Sequence, residues 1–291
     1  MAKKQFLAVC AILLATLFWG MTFAFIKQGV ATLSPYNFLF WRFGIAIFIL
    51  CLCGFRTLKT QKKAAYQAGG LLGIFLLGTV LFQTLGLQTL PASTSSFITG
   101  LSVILVPLLL SLTTRKIPQF KVIVAAVIAM VGIALISLKS GLSMGIGEFW
   151  TLLCALSFAI YILLAGKYSK GYNPIALSTF QGMVIFLVAG ILAASTGTLT
   201  LPIGYSSWSS IIFCSVFASI FAFWLQLHFQ KYISSTTTAI IFSCEPIFAT
   251  LTAMVYLSEY PNGPFYIGAS LIFIAILISE VKLKQKVVPQ D

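Results

Sequence analysis

The chain has 291 residues, 59% of them hydrophobic and 8% charged, with a mean hydropathy of +1.04 and a net charge of +13. About a quarter of an ordinary soluble domain is charged, so this composition excludes a soluble globular fold and implies a polytopic membrane protein. The positive charge does not point to nucleic acid, because no basic residue is interleaved with aromatics in a solvated stretch.

Ten apolar runs are each long enough for a helix to cross the hydrocarbon core while satisfying its own backbone hydrogen bonds. They lie near 6–26, 35–53, 68–88, 92–113, 119–138, 147–165, 173–194, 207–227, 234–257 and 263–281. Lys3 and Lys4 before the first run imitate a signal peptide. No small-x-small cleavage site follows, so this run is read as a retained first helix, and it carries Trp19.

The second run holds Trp41 and Arg42, the latter roughly 10 Å in from its start at 1.5 Å per residue. The third places Gly69 and Gly73 at small-xxx-small spacing, which favours close intramolecular helix packing, and continues to Phe82 and Gln83. A Ser/Thr-rich start, "PASTSSF", opens the fourth, which also contains Pro107 as a candidate hinge. Tyr161 lies in the sixth; Trp224, Gln226 and the sole histidine, His228, lie in the eighth.

The ninth run contains "SCEPIFA", with Glu245 near the middle of the membrane. A carboxylate there is penalised by about 2.5 to 3.5 kcal/mol, so something must offset it. Pro246 lacks a backbone N–H and disfavours the helical conformation at the residue before it, so the helix is expected to kink or open at Glu245.

The basic residues orient the chain. With a cytoplasmic N-terminus, 15 of the 18 Lys and Arg fall in cytoplasmic segments, among them Lys116, Lys121, Lys282, Lys284 and Lys286. Only Lys27 and Lys139 fall opposite, and Arg42 is intramembrane. This is the positive-inside pattern, and it places both termini in the cytoplasm of a bacterial-type inner membrane.

An internal repeat emerges when the chain is folded on itself. A shift of 139 residues lays "LSPYNFLFWRF" on "YNPIALSTFQG", pairing Arg42 with Gln181. A shift of 143 lays "PASTSSFITGLSVILVP" on "SSTTTAIIFSCEPIFAT" and pairs Gln83 with Gln226 and Ser102 with Glu245. Five spans per half is an odd number, so the second half enters from the opposite side. The fold class expected is therefore an all-α bundle of ten transmembrane helices in two inverted five-helix repeats, residues 1–140 and 141–291.

"LFWGMTFAFIK", "SPYNFLFWRFG", the Ser/Thr-rich start of the fourth helix and "SCEPIFA" together resemble the drug/metabolite transporter superfamily, EamA type, over nearly the whole chain. The resemblance implies a central cavity between the repeats and alternating-access transport of amino acids, related metabolites or nucleotide derivatives. It also implies a Glu after the fourth span, where this chain has "TTRKIP". The second half keeps that residue as Glu259 in "YLSEYP", read as interfacial and structural.

The residues expected to bind substrate or couple transport are Glu245, Arg42, Gln83, Gln226, Trp19, Trp41, Phe82, Tyr161 and Trp224, with Pro246 and Pro107 as hinges. Glu245 suits an ammonium group, a coupling proton or a buried cation, Arg42 among them. Arg42 suits a carboxylate or phosphate, or serves as a helix anchor. The amides equally suit interhelical packing, and His228 suits amphipathic packing at an interface.

No cofactor or metal is expected: the six cysteines lack metal-ligand spacing, and no GxxxxGK[ST] loop occurs. The expected partners are a small-molecule substrate, the lipid bilayer and a proton or counter-substrate, with monomer and homodimer both open. A passive channel or a structural or sensor subunit is the alternative. An intramembrane enzyme is disfavoured, since there is no HExxH and a single His.

Overall fold

The structure, a computed structural model, describes residues 2–115, 120–137 and 145–280. Lys116, Lys139, Lys282, Lys284 and Lys286, the tail after Leu283 and the Lys116 to Pro118 part of "TTRKIP" lie outside the described residues. Everything regular among the described residues is helical.

The first three spans are single helices: α1 (Ala2–Val30), α2 (Pro35–Lys59) and α3 (Lys63–Leu87). Span four is divided into α4 (Ala92–Thr99) and α5 (Ser102–Thr114), and α6 (Phe120–Ser137) closes the first half. The second half repeats this with α7 (Ile146–Tyr168), α8 (Pro174–Ser195) and a composite eighth span. That span runs through α9 (Gly204–Phe213), a π-helix (Cys214–Ala222), α10 (Phe223–Phe229) and a short 3₁₀ turn. Span nine is α11 (Ser235–Phe242) plus α12 (Glu245–Tyr256), and α13 (Gly263–Glu280) is the tenth.

Eight of these spans are long and apolar enough to cross a bilayer; α6 and α13 carry the shorter apolar cores Ile123–Gly132 and Gly263–Ala275. Several helices outrun the apolar segments that define them: α2 extends to Lys59 and α3 begins at Lys63. Helical hydrogen bonding does not stop where the hydrocarbon does, and long basic side chains reach water from a helix end. Caps set the turns at the start of α2 and α8, where Ser34 and Asn173 side chains accept backbone N–H groups and Pro35 and Pro174 occupy the first turn.

Most of the larger helix contacts have a counterpart when the halves are exchanged. Equivalent elements pair with each other: α2 with α8, α6 with α13, and span four with span nine. Other contacts come in exchanged couples, so α3 packs on α7 as α1 packs on span eight, and α5 on α7 as α1 on α12. The small-residue face of α3 is used within the chain: a Cβ built on Gly73 would lie 2.8 Å from the Val184 Cβ of α8. Large apolar side chains such as Phe48, Leu52 and Val255 remain on the outside, facing the lipid.

The two broken spans correspond residue for residue. The 143-residue shift carries α4 onto α11 and the first residue of α5, Ser102, onto the first of α12, Glu245. Both breaks are tightened by i to i−3 backbone bonds: Leu101 N–H to Ile98 O at 3.1 Å, and Cys244 N–H to Ile241 O at 3.1 Å. Only the second break has a proline beside it, since Val103 stands opposite Pro246 and Pro107 lies inside α5. A Cβ on Gly100 would lie 3.3 Å from Pro246 Cγ, so the two breaks abut near the centre of the bundle.

Candidate functional site at the centre of the bundle

A small cavity lies beside these breaks, lined by Trp19 and Thr22 of α1, Arg42 of α2, Thr79 and Gln83 of α3, and Glu245 of α12, with further apolar and threonine neighbours. Its volume is about 30 Å³. That admits one or two waters and no metabolite.

Glu245 heads α12 and is 6% exposed. Among the described residues its carboxylate has no hydrogen-bond or ion-pair partner. It approaches α1 closely, because Gly20 leaves no side chain there: a Cβ at residue 20 would lie 2.8 Å from the Glu245 carbonyl oxygen and 2.6 Å from Phe248 Cβ.

Arg42 is 2% exposed and does not form an ion pair with Glu245, although both border the cavity. Its surroundings come from the π-helix. Nε donates to Ser219 Oγ at 2.8 Å, and Ser215 Oγ donates to the Arg42 carbonyl at 2.8 Å. The guanidinium also stands 5.1 Å from the Phe43 ring centroid, a cation–π distance. Nη1 is buried without a protein partner among the described residues. Ser215 and Ser219 are four residues apart, so they lie on one face of the span and meet the same neighbour.

Aromatic side chains wall the cavity. Trp19 packs edge-on against Phe158 and Phe242 and donates from Nε1 to the π-helix carbonyl of Ala218 at 3.2 Å. Tyr161 is fully buried one layer behind, against Phe158 and Phe223, and donates to Gln181 Oε1 at 3.2 Å.

Of the residues singled out in the sequence, the structure brings Trp19, Arg42, Gln83 and Glu245 around one space, with Pro246 outside the lining, against the span-four break at Gly100. It places the others elsewhere. Trp41 donates to Thr200 O at 2.9 Å, tying α2 to the α8–α9 loop. Phe82 stacks on Trp150, and Trp224 stacks on His228. Gln226 donates to Gln230, which donates to Ile162 O, linking span eight to α7. Thr22, Thr79, Thr99 and Phe158 border the cavity without having been singled out. Phe158 is the repeat mate of Trp19 at the 139-residue shift, a signal the sequence contained.

Comparison with known proteins adds an independent finding. The profile of the EamA-like transporter family matches the chain twice, over residues 6–138 and 145–280. A protein of Archaeoglobus fulgidus named as an uncharacterized transporter is 31% identical over 280 residues, covering 96% of this chain and 88% of its own. The Bacillus subtilis uncharacterized transporter YyaM is 24% identical over 279 residues, covering 90% of each. One crystal structure superposes with a TM-score of 0.69 at 15% identity, covering 94% of this chain and 96% of that one, which supports the fold alone.

Proposed function

Because the chain belongs to the EamA-like transporter family, we propose that it is a secondary active carrier that moves a small polar metabolite through the central cavity by alternating access. The observation that carries this reading is a buried acid and a buried base beside one small cavity, each with unfilled bonding capacity among the described residues and not paired with the other. Membrane burial of such groups is costly, and a ligand that reads both would offset the cost. A zwitterion fits: an ammonium group at Glu245, a carboxylate at the Arg42 fork, and an apolar or planar body against Trp19 and Phe158. Amino acids and amino-acid or nucleoside-like derivatives have that character.

Exchange-symmetric packing supports a rocking mechanism in which the repeats trade conformations and expose the cavity to each side in turn. Glu245 is assigned a second role, as carrier of a coupling proton or as the group whose occupation by a counter-substrate permits return. The halves are residues 1–140 and 141–291, and the orientation places both termini in the cytoplasm of an inner membrane, following the basic residues.

Counterflow in proteoliposomes tests the reading. Vesicles preloaded with an unlabelled amino acid are expected to accumulate its labelled form transiently and with saturation. Linear, unsaturable flux would instead support a pore, and no flux across a broad metabolite panel would favour a structural or sensor subunit.

A further inference from the structure

A larger recess, about 340 Å³, opens at the end of the bundle that carries the α1–α2 turn, with Lys27, Glu148 and Glu259 as its charged walls. It shares three elements with the central cavity. From Thr22 to Lys27 on α1, from Gln83 to Thr89 just past α3, and from Thr99 to Thr94 on α4, the helical rise gives about 7.5 to 9 Å. Three elements giving one separation stack the recess over the cavity. The turns between carry the fully buried Phe23, Ile26, Leu87 and Ile98.

The charges in the recess are not equally engaged. Glu259 caps α4 by accepting the Ala92 N–H on Oε2 at 2.9 Å, and its Oε1 lies 3.9 Å from Lys27 Nζ. Lys27 is in turn held by Leu90 O at 2.7 Å. Glu148, in the first turn of α7, borders the same recess, is 4% exposed, and has no hydrogen-bond or ion-pair partner among the described residues. Among the described residues Lys27 and Glu259 offset one another, which leaves the Glu148 carboxylate as the unmatched charge of the recess, with the Ser93 and Thr94 hydroxyls beside it. A single free carboxylate with hydroxyls suits a monovalent N–H donor; a divalent cation would need six or so oxygen ligands, and an anion would be repelled.

We infer that this recess is an outer subsite for an ammonium-bearing solute, with Glu148 as its anionic partner, on the path between the membrane surface and the central cavity. The onward path rests on the transport reading above, whereas occupation of the recess can be measured without any transport. A purely structural Glu148, stabilising the start of α7 through its dipole, would not discriminate among ligands.

The test uses the full chain in proteoliposomes with Thr94→Cys as reporter, labelled by a charged, membrane-impermeant thiol reagent and read by mass spectrometry on the peptide containing residue 94. Methylammonium is expected to slow labelling with saturation, by about tenfold at roughly ten times its half-protecting concentration. Equimolar acetate or sodium is expected to leave it unchanged. Glu148→Gln abolishes the protection and Glu148→Asp restores part of it, while unprotected labelling at the parent rate shows that each variant is folded. Glu245→Gln keeps the protection although counterflow is lost, so failure at the central cavity is read separately from failure here. Absence of protection in the parent, equal protection by sodium, or protection that survives Glu148→Gln but disappears with Glu245→Gln overturns the assignment.

Discussion

Arg42 and Gln181 occupy equivalent places on α2 and α8, and each is almost fully buried, yet their neighbours differ in chemistry. Around Arg42, Ser215 and Ser219 of the π-helix supply two hydrogen bonds at 2.8 Å. Their counterparts beneath the 143-residue shift are Leu72 and Leu76, fully buried in the regular α3, and Gln181 turns instead to the Tyr161 hydroxyl. The scaffold therefore accepts either a neutral amide or a guanidinium at this place, and the two serine hydroxyls facing Arg42 are what differs around the charge. Glu245 and Ser102 repeat the lesson: both head the second fragment of a broken helix, and only one is charged. Architecture is common to the halves; the chemistry proposed for transport sits on what they do not share.

The largest effect is expected where that asymmetry is removed at Glu245. Glu245→Gln should lower counterflow by about 10- to 100-fold, the range for losing one charged hydrogen-bonding partner, with insertion and thermal unfolding close to the parent's. Ser102→Ala, its mirror, should stay within about twofold. Equal damage from the two variants would place the requirement in the helix break rather than the carboxylate. Arg42→Lys comes next, with an expected loss of about tenfold in counterflow efficiency, because an ammonium cannot reproduce the planar fork that meets both a substrate carboxylate and Ser219. Gln181→Ala, at the equivalent place, should instead show itself as about 1 to 3 kcal/mol of lost stability from the orphaned Tyr161 hydroxyl, with near-normal transport per folded molecule.

Span number, the broken ninth helix and the repeat were legible because hydropathy, proline and polar order are one-dimensional signals. Which face of each helix turns inward was not. In a bilayer both faces of a span are apolar, so periodicity loses the contrast that makes a soluble helix readable. Trp224 illustrates a second obstacle: it lies just beyond the π-helix, whose wider turns shift the phase that a regular helix would give it, and it ends against His228. The cavity threonines were silent for a third reason. Thr22 and Thr79 return their hydroxyls to their own helix, at Trp19 O and Phe75 O, and so carry no sign of what else they border. The break in span four was invisible because its one internal proline, Pro107, lies inside α5 and not at the break, whose position follows only from symmetry with span nine.

The finest difference between the halves is the hydroxyl of Ser219. Ser219→Ala leaves the Arg42 Nε without its partner in a buried site, so the guanidinium gains freedom to turn away from the cavity. The expected result is a half-saturation concentration raised about three- to tenfold with little change in maximal exchange, as fits a group that positions another instead of meeting the solute at full strength. Ser219→Thr, which keeps the hydroxyl, should recover most of the affinity. Leu72→Ala, at the place equivalent to Ser215 and outside the cavity lining, opens space without touching a polar group, so it should cost about 2 to 5 kcal/mol of stability and leave the half-saturation concentration of the folded protein unchanged. If Ser219→Ala behaved as Leu72→Ala does, Ser219 would serve packing alone, and the charge on the first half would owe nothing to the hydroxyls of the second.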